Sequence, residues 1–226
     1  ILFEAKTYAF SDTLTKKSGS WLGSGVDATV LKWNGNSSTV AVEQDTITSR
    51  GGNSATTIEK MSFYEGSSKP LKWLTVPTNA AGYGVDFGYR LRELRFSGVT
   101  QYHLDIGGYV NLQWEHVRFD TWGAFAVKIT PEVGQYLSNS DLTNWTADHM
   151  AGSTGEGFLL IDNSANESNI GTLRLANFRY ENNTTLTGRK SFIVIEGDTS
   201  DCVQLQIDNA TYQDVNNVTD GDSLIY

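Results

Sequence analysis

One unit is written twice between Phe158 and Asn209. Gly157-Phe158-Leu159-Leu160-Ile161-Asp162 returns as Ser191-Phe192-Ile193-Val194-Ile195-Glu196, with Phe158 and Phe192 34 positions apart. Leu173-Arg174-Leu175-Ala176-Asn177-Phe178-Arg179-Tyr180 returns as Leu205-Gln206-Ile207-Asp208-Asn209-Ala210-Thr211-Tyr212, 32 positions later. Each unit holds three short extended runs, and nothing between them has helical periodicity. One such unit cannot bury its own apolar face, so copies must stack. The expected fold is all-β, a single-stranded parallel β-helix.

The asparagines mark a corner. Leu173 and Leu175 are odd-numbered, whereas Phe178 and Tyr180 are even. Inward side chains recur every second residue of a strand, so the phase slips once between them. Leu205 and Ile207 against Ala210 and Tyr212 repeat the slip. A sharp bend needs left-handed backbone angles, which Asn tolerates better than most residues. Asn177 and Asn209 are therefore expected to stack at one corner of successive coils.

Composition narrows the function classes. At 226 residues the chain is long enough for one well-buried domain. A net charge of −9 argues against nucleic acid and anionic membrane partners bound through a basic surface. Cys202 is the single cysteine, so no internal disulfide or cysteine-based metal site is expected. No apolar run approaches the roughly 20 residues that span a bilayer, so no membrane insertion is expected. Ser223-Leu224-Ile225-Tyr226 fits the strand position of Phe192 32 residues later, so the chain reads as part of a longer polypeptide.

In chain order, 1–33 read as lead-in and first coil, 34–81 as irregular coils with loop excursions, and 82–226 as regular coils of one domain. Lys6-Thr7-Tyr8-Ala9-Phe10 leads into Trp21-Leu22-Gly23-Ser24-Gly25-Val26-Asp27-Ala28-Thr29-Val30-Leu31. This opening resembles that of the pectate-lyase-like β-helix superfamily, a G-x-Y strand followed by an L-x-G-x-G turn and a T-V-L strand; Lys6 stands where the family usually has Gly. The resemblance extends to phage tailspike and receptor-binding proteins. It implies a right-handed β-helix, a homotrimer, an extracellular place in a virion tail, and a bacterial surface polysaccharide as partner. Its motifs specify architecture and are silent about chemistry. Further on, Leu94-Arg95-Phe96 aligns with Val117-Arg118-Phe119, and roughly seven or eight coils of about 4.8 Å each are expected.

Candidate chemistry follows from which positions face outward. Aligning the first strand of each coil brings Asp86, Asp105, Lys128, Asp162 and Glu196 into one solvent-facing row. Carboxylates one or two coils apart lie about 5 to 10 Å from each other. That range covers both separations used in glycoside hydrolysis, so Asp86, Asp105, Asp162 and Glu196 are the candidate catalytic residues. His103, two residues before Asp105, is assigned to the same face. The same parity turns Phe158, Leu160, Phe192 and Val194 outward, an apolar patch for which a second subunit is the expected cover and a loop the alternative.

A second surface gathers Glu115, Arg118, Asp120 and Trp122, with Trp114 inward, a combination of aromatic ring and carboxylates suited to sugar. Trp73, in an excursion bounded by Pro70 and Pro77, is a possible stacking platform, with core packing as its alternative. His103, His116 and His149 lack metal-ligand spacing, so no zinc site is expected, and no cofactor motif is present. Glu196, Asp198 and Asp201 offer a minor calcium option. The expected function is binding, with hydrolysis, of a bacterial surface polysaccharide by a tailspike-like glycosidase. The alternatives are a non-catalytic fibre segment and a secreted polysaccharide lyase, for which Lys128, Arg174 or Arg179 would supply the base.

Overall fold

The computed structural model describes residues 1–17, 19–45, 56–76, 89–107, 112–130, 136–137, 140–149, 156–162, 169–170, 172–182, 192–197 and 204–214. Every regular element among them is a strand. One sheet contains β1 (Thr7–Phe10), β3 (Trp21–Leu22), β4 (Val30–Trp33), β6 (Thr57–Glu65), β8 (Tyr89–Ser97), β10 (Leu112–Asp120), β13 (Ser140–His149), β16 (Thr172–Asn182) and β18 (Gln204–Asp214). A second contains β2 (Leu14–Lys16), β5 (Val40–Gln44), β7 (Lys72–Val76), β9 (Tyr102–Gly107), β11 (Phe125–Thr130), β14 (Gly157–Asp162) and β17 (Ile193–Glu196). The short strands β12 (Tyr136–Leu137) and β15 (Asn169–Ile170) pair with each other.

The chain alternates between the two large sheets, and every pairing in them is parallel, which makes a β-solenoid. The repeats fall into register as their spacings require. Leu173 pairs with Leu205, Leu159 with Ile193, and Leu94 with Val117. About four turns are regular: β8–β9, β10–β11, β13–β14 and β16–β17. This is fewer than the seven or eight coils expected, because strands β1 to β7, all but β6 of five residues or fewer, join the same sheets less regularly. In that part β6 pairs with β3 along its first half and with β4 along its second.

The corner is longer than the two asparagines that announce it. Lys60, Glu93, His116, Asn144, Asn177 and Asn209 all have positive φ, between 47° and 59°. Each lies between registered pairs of β6, β8, β10, β13, β16 and β18, so the six form one column. The phase of burial slips at that column in β6, β8, β10, β13 and β16. Ile58, Leu91, Trp114, Leu142 and Leu175 face inward before it; Met61, Leu94, Val117, Trp145 and Phe178 do so after it. Upstream, Gly23 sits level with Lys60, where an added Cβ would lie 2.1 Å from the Lys60 carbonyl oxygen, so the turn admits only glycine.

Inside, like residues stack at the strand spacing. Phe96 is parallel to Phe63 at 4.7 Å and to Phe119 at 5.7 Å, and Trp145 lies 4.4 Å from Phe178 and 4.3 Å from Phe158. Stacked aromatic pairs add about 0.5–1.5 kcal/mol beyond the area they bury. Two expected sugar platforms belong to this interior. Trp73 is fully buried, and its indole N–H donates to the Ser97 and Gly98 carbonyls at 2.8 and 3.0 Å. Trp122 is buried too and donates to the Gly157 carbonyl at 2.7 Å.

Strict alternation also fails at the start of each second-sheet strand. His103, Ala126, Phe158 and Phe192 form a level column, and each is buried in the main core together with the residue after it. The backbone bends there: the N–H groups of Phe158 and Leu159 both donate to the Phe192 carbonyl, at 3.0 and 3.1 Å. His103 therefore points inward between Phe96, Phe119 and Trp122, not onto the face of Asp105. Phe158 and Phe192 turn inward for the same reason. Leu160 and Val194 do face outward, but with Phe125 they form a small second cluster that is closed from solvent within the single chain. The exposed apolar patch that called for a second subunit does not exist.

Candidate functional site

The outward face of the second sheet carries the expected catalytic row, in a different register. Asp105 is level with Lys128, which is level with Leu160 and then Val194. Asp162 and Glu196 are direct partners of each other, two residues further along. Lys72 Nζ lies 2.5 Å from Asp105 Oδ2, and Lys128 Nζ lies 2.8 Å from Asp162 Oδ2. Tyr102 sits between the two ammonium groups, 5.7 Å from Lys72 and 6.0 Å from Lys128. Burial, helped by the negative charges of Asp105, Glu156 and Asp162, pushes the Tyr102 phenol up against the opposing pull of Lys128. Burial, the largest single influence, works against the Lys128 ammonium, but its hydrogen bond to Asp162 together with the charges of Asp162, Tyr102 and Asp105 outweighs it and raises its pKa. Asp86 lies outside the described residues, as do Asp198 and Asp201.

The second half of the first sheet, beyond the corner, holds Arg118 and Asp120. Asp120 is buried and accepts from Arg95 at 2.8 Å and from Arg118 at 2.7 Å. Arg118 also reaches Asp148 at 3.0 Å, while Arg95 reaches Asp27 at 3.5 Å and lies over the Tyr64 ring at 5.1 Å. Both residues are thus committed to a lattice that ties neighbouring coils together. With Trp122 in the core, the surface expected from Glu115, Arg118, Asp120 and Trp122 is divided, and only Glu115 opens elsewhere.

Glu115 opens onto a groove on the first half of that sheet, before the corner. Arg90 and Arg92 of β8, Gln113, Trp114 and Glu115 of β10, and Asp141 and Thr143 of β13 enclose about 300 Å³. Two outward rows build it. Thr57, Arg90, Gln113, Asp141, Arg174 and Gln206 form one; Glu59, Arg92, Glu115, Thr143, Ala176 and Asp208 form the other. Long side chains thus give way to Thr143 and Ala176 in the second row, and the surface dips. Arg92 spans Glu115 at 3.3 Å and Glu59 at 3.8 Å, Arg90 Nε donates to Gln113 Oε1 at 3.2 Å, and Arg174 holds Asp141 at 3.2 Å.

Glu115 and Asp141 are on adjacent strands, two residues out of register. A strand spacing of about 4.8 Å and a rise of about 3.3 Å per residue put them roughly 8 Å apart along the sheet. The lining offers guanidinium donors and carboxylate acceptors in equal number, arranged along the solenoid axis. Sequence reading missed Arg90, Arg92, Gln113, Asp141 and Thr143. Their signal was the polar–apolar alternation in Arg90-Leu91-Arg92, Gln113-Trp114-Glu115 and Asp141-Leu142-Thr143.

Among the described residues no group of three or more His, Cys, Asp or Glu side chains is placed to hold a metal ion, and no helix is long and apolar enough to cross a membrane. No family model, curated protein or solved structure matches the chain.

Proposed function

We propose that the chain is a right-handed β-solenoid of the tailspike type that binds a bacterial surface polysaccharide along the Arg90–Thr143 groove and hydrolyses it. The observation that carries the reading is that groove, a polar trough of about 300 Å³ lined by ion-paired side chains. A glycan presents hydroxyls that donate to carboxylates and accept from guanidinium groups, and the lining supplies both. Right-handed winding follows the strong preference of parallel crossovers. The opening motif from Trp21 to Leu31 supports kinship with the pectate-lyase-like superfamily, and with it a homotrimer in a virion tail, outside the cell.

For hydrolysis, Glu115 and Asp141 are the pair at hand, one to protonate the leaving oxygen and the other to activate water. Asp162 and Glu196, side by side on the second sheet, are an alternative pair. A second reading, a glycan-binding or spacing segment without catalysis, is favoured by the guanidinium partners that Arg92 and Arg174 give to Glu115 and Asp141.

The test is mass spectrometry of purified capsular and O-antigen polysaccharides after incubation with the protein. Fragments that have gained water, lost in Glu115→Gln or Asp141→Asn with binding retained, support the proposal. Loss only in Asp162→Asn/Glu196→Gln moves the chemistry to the second sheet. Unsaturated fragments mean a lyase, and binding without fragments means the second reading.

A further inference from the structure

We infer that Lys60, Glu93 and His116 form the rim of the groove that contacts the glycan; this rests on the groove being the glycan site. The starting point is a cost without a visible return. All six corner positions are left-handed; Asn144, Asn177 and Asn209, and to a lesser degree His116, are types that tolerate such angles, whereas Lys60 and Glu93 are not. The earlier three carry Lys, Glu and His at φ of 59°, 50° and 55°. Nothing in the coil geometry asks for this, since the same corner is made by Asn one strand later.

Nor do the three side chains stabilise the corner. Among the described residues Lys60 and Glu93 make no ion pair or side-chain hydrogen bond, although they are level on neighbouring strands and oppositely charged. His116 Nδ1 is 3.8 Å from Glu115 Oε1, with its side chain 61% exposed. Strain of this kind persists where it serves a site, and the inference runs from the outlier to the function. The location agrees. Glu93 follows Arg92 and His116 follows Glu115, and both Arg92 and Glu115 line the groove. Lys60 follows Glu59, the other partner of Arg92.

The rim thus presents an ammonium, a carboxylate and an imidazole about 4.8 Å apart along the axis, beside the trough. Such a row can donate to and accept from the hydroxyls of successive sugars of one polysaccharide chain. It is the edge of the binding surface rather than its floor.

The experiment replaces all three residues with the one the later coils use. The Lys60→Asn/Glu93→Asn/His116→Asn variant is compared with wild type on an array of purified capsular and O-antigen polysaccharides, with thermal unfolding measured alongside. The expected result is an unchanged or higher unfolding midpoint together with at least tenfold weaker binding to the polysaccharide that wild type captures. Binding within twofold of wild type overturns the rim while leaving the groove reading intact. A lowered midpoint also overturns it, because the three residues would then be structural. If the Asn variant does not fold, the Gly series at the same positions, equally at ease with positive φ, gives the same comparison. The groove reading has its own control in Thr143→Trp, which fills the trough. Binding that survives this change, or a wild type that captures nothing, removes the groove and the rim with it.

Discussion

The Asn209 side-chain amide donates a 2.9 Å hydrogen bond to the Asn177 side-chain oxygen, and both residues hold left-handed backbone angles. The bond runs along the solenoid axis, so each asparagine both makes the bend in its own coil and ties that coil to the next. The bend in turn moves the inward face from Leu173 and Leu175 to Phe178 and Tyr180, which lets one long strand wrap two sides of the core.

Replacing Asn177 with Ala keeps the strand but removes the short polar side chain that eases left-handed angles, leaving a residue for which they cost about 1–2 kcal/mol. The exposed hydrogen bond to Asn209 adds little. We expect the urea midpoint of Asn177→Ala to fall accordingly, and Asn177→Gly to fall less. An Ala variant as stable as wild type would mean that the column is not strained.

The strand columns and this corner were legible because the apolar residues repeat at fixed spacing and the parity change needs a bend. What the sequence hid has two physical sources. Strict alternation put His103, Phe158 and Phe192 outside, whereas the chain bends into the second sheet there and buries two residues in succession. The charged row was drawn by matching residue type, Asp162 against Lys128, whereas the apolar columns set Lys128 against Leu160. The groove depends on a small residue, Thr143, falling level with Arg92 and Glu115, and only the register between strands reveals that. Trp73 was ambiguous between surface and core and Trp122 was assigned to the surface; each indole N–H finds a carbonyl inside, so burial costs them little.

Lys16 predicts a rise of stability with pH. It is fully buried, and its ammonium donates to the Lys17 and Gly19 carbonyls, at 3.2 and 2.6 Å, without an acidic partner among the described residues. Burial lowers its pKa from 10.5 to about 8. Between those values the unfolded chain binds the proton and the folded chain does not, so unfolding free energy increases with pH. We expect denaturant midpoints to climb from pH 8 towards pH 10, and Lys16→Met to flatten the climb. A wild-type profile that is flat or falling over this window would contradict the burial of a charge.

Tyr89 works in the opposite sense at higher pH. It is fully buried, its hydroxyl has no hydrogen-bond partner among the described residues, and burial pushes its pKa far above the usual tyrosine value of 10.0. Above that value the unfolded chain loses a proton that the folded chain keeps, so stability declines. Tyr89→Phe removes an unsatisfied hydroxyl and should leave the fold as stable or more so at neutral pH. It should also lessen the decline above pH 10. Calorimetry of the two proteins across pH 9 to 11 checks both effects.

Asp120 and Glu115 separate structure from function. Asp120 is buried between two guanidinium groups, so Asp120→Ala leaves Arg95 and Arg118 without their shared acceptor. Both arginines are partly solvated, so the expected loss is about 2 kcal/mol, below the range for fully buried pairs. Glu115→Gln, on an open groove wall, should change stability by no more than about 0.5 kcal/mol. Equal effects of the two substitutions on stability would place Glu115 in the lattice as well and weaken its assignment to the groove.

The stereochemistry of any cleavage identifies the face that performs it. Glu115 and Asp141 are roughly 8 Å apart by strand spacing and residue rise, within the separation that leaves room for an attacking water, and this predicts inversion at the anomeric carbon. Asp162 and Glu196 are direct cross-strand partners at about 4.8 Å, close to the spacing at which one carboxylate attacks the sugar itself, which predicts retention. Proton NMR of the first products, taken before mutarotation, distinguishes the two. An inverted product lost in Asp141→Asn assigns the reaction to the groove. A retained product that survives Asp141→Asn and disappears in Glu196→Gln assigns it to the second sheet, leaving the groove as a binding surface alone.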